Sequence, residues 1–244
     1  MIPIRDDAPR FTTPYVNYFL VAANLAIYLL LWLGVQGTVE KFAFQFGFVP
    51  EKVSALLSGA GYVQMQGQWM PVNAASAFIP VLTSMFLHAS WLHVIFNMWA
   101  LWIFGDNIED YLGHFHYLIF YLLSGLGAAI AHYLFNMNST IPTVGASGAI
   151  AGVMGAYLVL YPSARVLTLV PLFVFVTFIR LPAWLVLGFW FVVQFLSGAA
   201  TSMAYSGRSA GGVAFWAHIG GFLAGVFMIK LFPTRPRRYR FTGW

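Results

Sequence analysis

The stretch TVGASGAIAGVMGAY, Thr143 to Tyr157, decides what kind of molecule this chain is. It is apolar and uncharged like a membrane segment, yet it carries four glycines and one serine, Ser147, set between two of them. Working outward, Tyr111 to Ala164 and Val53 to Gly105 contain no Asp, Glu, Lys or Arg. Charged residues make up 8% of the chain, against about a quarter in soluble domains, and mean hydropathy is +0.77. The expected fold is therefore an all-α, polytopic membrane bundle.

A helix needs roughly 20 apolar residues to cross about 30 Å of hydrocarbon. Six segments qualify as transmembrane helices: Tyr15–Gly34, Trp91–Gly105, Phe115–Phe135, Gly145–Tyr161, Leu181–Leu196 and Gly211–Phe232. The run Val166 to Phe178, with its internal Pro171, reads as an interfacial connection, with an extra half-span as the alternative. Six spans put both termini on one side, and nine of the twelve Lys and Arg residues fall there, which makes that side cytoplasmic. The first span reads as a retained anchor. One domain is expected over residues 1–244, with a short cytoplasmic N-terminus, a large first outer loop at about 36–80 and a basic cytoplasmic tail from about 233. The tail can touch anionic lipid of the bilayer; nothing suggests nucleic acid. Without cysteine, disulfides and thiol nucleophiles are excluded.

Gly148, Gly152 and Ala156 recur every four residues on the fourth span, and Ala217, Gly221 and Gly225 do so on the sixth. Such strips let helix backbones approach closely in lipid, where little hydrophobic force draws helices together. Packing explains the strips by themselves. Beside them, however, stand Ser147, just before Gly148, and His218, just after Ala217. Singly, the serine can bond its own helix and the histidine can be a satisfied interior group. Together, at depths that can match, they suggest a nucleophile and its general base. On the second span, His93 and Asn97 share a face four residues apart. An amide donor there, or the Ser147 N–H, suits an oxyanion; bonding between helices is the plainer alternative. All seven acids lie at or before residue 110, far from the serine, so a Ser–His dyad is expected rather than a triad. Neither His88 with His93 nor His114 with His116 has the carboxylate partners of a metal site, so no metal or cofactor is expected.

These residues resemble the rhomboid intramembrane serine proteases of bacterial type. The resemblance is carried by GASG at 145–148, AHIGGFLAG at 217–225, and HASWLHVIFN at 88–97 with FGDNIEDYLG at 104–113. It implies Ser147 as nucleophile, His218 as base, and Asn97, His93 and the Ser147 N–H as oxyanion stabilisers. Gly145 and Gly148 would shape the turn, and His88 would support the loop above the second span. Implied substrates are single-span proteins cut in or near their membrane segment; the implied location is a bacterial inner membrane. The oligomeric state is not legible. Two family features are missing. A Trp-Arg pair is replaced by Ile79 and Pro80, and an aromatic expected four residues after the serine is Ala151, so His218 must be oriented in some other way. Two competing classes are a catalytically silent relative that binds membrane-protein clients and a channel or transporter. The uncharged spans and the lack of inverted repeats oppose the last.

Overall fold

A computed structural model describes residues 1–34, 38–172, 175–204 and 213–233. The basic tail from about 233 and the expected start of the sixth span at Gly211 lie outside them. The six expected spans appear as helices α1 (Tyr15–Trp32), α5 (Trp91–Leu112), α6 (His114–Phe135), α7 (Ser147–Leu160), α8 (Ala183–Ala204) and α9 (Phe215–Met228). By length and apolarity α1, α6 and α8 can each cross a membrane, and α5 qualifies together with the preceding helix, from which it is bent by 76°. The 14-residue α7 and α9 extend only about 21 Å at 1.5 Å per residue. Six crossings are thus not fixed by helix length.

Being apolar on every side, α7 can be surrounded. It is the central helix, buried from Gly148 to Tyr157, against α5, α6 and α9. The two strips meet in register. A Cβ on Gly221 would lie 2.0 Å from the Gly148 carbonyl oxygen, and one on Gly225 would lie 1.9 Å from that of Gly152. The register rises along both helices, so α7 and α9 run parallel. A second small-residue contact, unread in the sequence, joins α9 to α6, where a Cβ on Gly220 would meet Ala131 at 2.1 Å.

The expectation of an all-α molecule is corrected. The described residues of the run Val166 to Phe178 form no helical half-span: they belong to antiparallel strands β4 (Arg165–Leu172) and β5 (Phe175–Pro182), extended by β1 (Ile2–Arg5). Val166, Thr168, Val170, Val176 and Thr177 are β-branched and suit a pleated surface. Pro171 is tolerated because β1 pairs only with Leu167 to Leu169, so the missing N–H falls where β4 has no neighbour on that side. The loop between α1 and α5 is also folded: α2 (Thr38–Phe46), α3 (Pro50–Ser58), hairpin β2 (Tyr62–Met65) and β3 (Gln68–Pro71), and α4 (Ala74–Thr83). Its tight turn places Gln66 at φ 51° and Gly67 at φ 78°, the geometry that matches strand twist in two-residue hairpins. Asn73 and Ser76 form a reciprocal cap at the start of α4.

The helix of the second expected span is longer than the uncharged run. The helix does not stop at Gly105 but runs to Leu112, because its acids are used at the join with the N-terminal segment. Glu109 is fully buried and accepts from the backbone N–H groups of Val16 (2.9 Å) and Asn17 (2.7 Å) at the start of α1. A carboxylate there satisfies donors the helix leaves free and favours its positive end. Asp110 accepts from the Thr12 N–H at 2.7 Å, and Tyr157 donates to Asp6. Glu109→Ala is expected to cost about 2–4 kcal/mol, since a buried and a part-buried backbone donor lose their partner. Thermal unfolding in detergent checks this, and an unchanged midpoint would refute it.

Candidate active site

Ser147 opens α7, and its neighbours hold it there. Gly145 sits at φ 131°, a conformation side chains avoid, and a Cβ would strike the His93 ring at 2.8 Å. The Gly145 N–H donates to the Ser84 carbonyl at 2.9 Å. Two residues earlier, Thr143 exchanges backbone hydrogen bonds with Phe48 of the loop between α1 and α5 at 2.8 and 2.9 Å, and its hydroxyl meets His132 Nε2 at 2.9 Å. The loop between α1 and α5 therefore positions the serine turn, a role no local sequence signal announces.

Across the α7–α9 contact, Ser147 Oγ lies 2.8 Å from His218 Nε2. The histidine is the fourth residue of α9 as described, nearer the helix end than a start at Gly211 implies. Its other nitrogen, Nδ1, lies 2.7 Å from Gln194 Oε1 on α8. Trp190, one turn earlier on α8, sets its ring 5.8 Å from the imidazole at 34°. This is the orientation that Ala151, buried within the bundle, cannot supply. Sequence reading missed Gln194; the available signal was an amide in the middle of an apolar span, which normally has a partner.

Ser147, His218, His93 and Asn97 line one cavity of about 800 Å³. It sits among the N-terminal ends of α5, α7 and α9, the C-terminal ends of α6 and α8, and the α6–α7 connection. The acid cluster is at the opposite helix ends. Asn97 is buried, and its Nδ2 has no partner among the described residues. No side chain caps the start of α7, so its first-turn N–H groups are free to meet an anion. Gly148 packs on Ala128, where a Cβ would come within 2.5 Å. His88 is buried and set edge-on to His93, ring centroids 5.0 Å apart. Among the described residues no His, Cys, Asp or Glu group forms a metal-binding cluster. Chemically, the arrangement offers a hydroxyl beside an imidazole nitrogen, with donors nearby for developing negative charge.

Comparison with known proteins gives the family. The Rhomboid domain matches residues 75–235. RHOMBOID-like protein 6, mitochondrial, of Arabidopsis thaliana is 31% identical over 159 residues, 60% of this chain and 51% of the relative. Rhomboid protease GluP of Bacillus subtilis is 31% identical over 152 residues, 62% of this chain and 26% of the relative. Rhomboid protein 1, mitochondrial, of Saccharomyces cerevisiae is 32% identical over 152 residues, 61% of this chain and 40% of the relative. The matches thus span about half of the first of these proteins and less than half of the other two.

Proposed function

The chain belongs to the rhomboid family of membrane proteins, and from that premise we propose that it is an intramembrane serine endopeptidase cutting the membrane segments of single-span proteins. The observation that carries this reading is the 2.8 Å approach of Ser147 Oγ to His218 Nε2 inside the cavity. Ser147 attacks a peptide carbonyl while Nε2 takes its proton; the ring then protonates the leaving amine, and water, activated by the same nitrogen, hydrolyses the acyl-enzyme. Asn97, the Ser147 N–H and His93 are the donors for the tetrahedral oxyanion. The cavity admits the water that hydrolysis needs. Helical peptide bonds hide their carbonyls, so substrates are spans that unwind at Gly or Pro, with small residues at the cut.

In this reading the six helices all cross the bilayer, both termini are cytoplasmic, and the short α7 holds Ser147 below the outer surface. The distribution of Lys and Arg supports that orientation. A bacterial inner membrane follows from the bacterial character of the motifs, although relatives named as mitochondrial match comparably well. The test is labelling of the solubilised protein with a serine-directed fluorophosphonate. Wild type is expected to label and Ser147→Ala to remain unlabelled. A folded wild type that does not label would instead make the chain a silent binder of membrane-protein clients.

A further inference from the structure

Resting on the Ser147–His218 reading, we propose that Gln194 is the residue that orients the base, so that the site works as a Ser–His–Gln relay in which an amide stands where hydrolases with triads place a carboxylate. The geometry is specific. Gln194 Oε1 lies 2.7 Å from His218 Nδ1, while Nε2 faces Ser147 Oγ at 2.8 Å. An amide oxygen only accepts, so Nδ1 must carry the ring proton. That leaves the Nε2 lone pair directed at the serine hydroxyl, the one tautomer in which the imidazole can act as base.

Two features separate this contact from an ordinary bond between helices. Trp190 and Gln194 are one turn apart on α8 and both meet the His218 ring, one through its face and the other through Nδ1. Trp190 also lies 6.0 Å from the Phe222 ring, one turn after His218 on α9. Two successive turns of α8 and α9 are therefore matched, and that match fixes both the tilt and the tautomer of the imidazole. The amide also preserves the bond as the reaction proceeds. When the Ser147 proton moves to Nε2 the ring becomes a cation, its Nδ1–H stays bonded to Gln194 Oε1, and the bond strengthens because its donor is now charged. A carboxylate would raise the basicity of the ring further, but it would bring an ionised group into a low-dielectric span at high cost.

The ionisable groups electrostatically close to His218 are His93 on α5 and His132 on α6. Ala183 to Ala204 of α8 contains no ionisable residue, and Asn136 to Ala146 of the α6–α7 connection has none. The only other ionisable group on α7 is Tyr157, at its far end, and α9 has none besides His218. A charge placed at position 194 thus acts chiefly on His218.

The test measures fluorophosphonate labelling rate and substrate turnover against pH for wild type, Gln194→Met and Gln194→Glu. Gln194→Met, of similar shape, is expected to lower kcat and the labelling rate about 10- to 100-fold with KM unchanged, the loss of one charge-assisted bond. Gln194→Glu is expected to remain within about tenfold of wild type. Because its carboxylate stabilises the imidazolium, it should move the acid limb of the rate profile to higher pH by about one unit or more. A Gln194→Met protein that reacts at the wild-type rate overturns the proposal, as does a Gln194→Glu profile whose limb has not moved. Should Gln194→Met fail to fold, the Gln194→Glu limb alone decides. A wild type that does not label would fail the protease reading itself, a result separate from both.

Discussion

Ser147→Ala, His218→Ala and the double variant are expected to lose the same proteolytic rate, about 10⁴-fold or more, with the double no worse than either single change. The reason lies in the 2.8 Å contact between Oγ and Nε2: a serine without its base is an ordinary alcohol, and a base without the serine has no proton to take. What survives comes from positioning and from the donors around the oxyanion, which none of the three changes touches. Cleavage of a single-span substrate in liposomes, under single-turnover conditions, checks the expectation. Losses that add on a logarithmic scale would show that the two residues act separately and would remove the dyad. Retained cleavage in Ser147→Ala would remove the nucleophile.

Gly225→Val is expected to be the most damaging change far from the serine. A Cβ at that position would lie 1.9 Å from the Gly152 carbonyl oxygen and 2.5 Å from its carbon. Backbone cannot step aside as a flexible side chain can, so α7 and α9 must separate. The expected cost is more than about 3 kcal/mol, which lowers the midpoint of thermal unfolding by on the order of 10 °C for a chain of this size. Separation also pulls Ser147 away from His218, and misplacement by about 1 Å costs roughly 100-fold in rate. Labelling should therefore fall even in molecules that stay folded. Gly188→Ala is the control, because a Cβ there meets nothing within 4 Å, and a helical alanine is favoured over glycine by about 1 kcal/mol. Equal midpoints for Gly225→Val and wild type would mean that the strips are not in contact.

The sequence by itself determined the membrane class, the places of the six helices and the two strips that meet, because each is written in properties that act locally. Apolar runs of the right length report the solvent. Small residues every four positions report where a helix must be thin, and the polar residues beside Gly148 and Ala217 mark what the thinness serves. Only the tertiary structure decided what depends on partners distant in the chain. The role of Glu109 was not legible because its partners, the N–H groups of Val16 and Asn17, lie 93 and 92 residues away. The strands around Val166 looked like a connection because β1 comes from the first five residues. Gln194 went unread, since its reason for being polar is the Nδ1 of a histidine 24 residues further on. In lipid a buried polar group is costly until it is paired, and the identity of that pair is set by how helices pack rather than by which residues are neighbours in sequence.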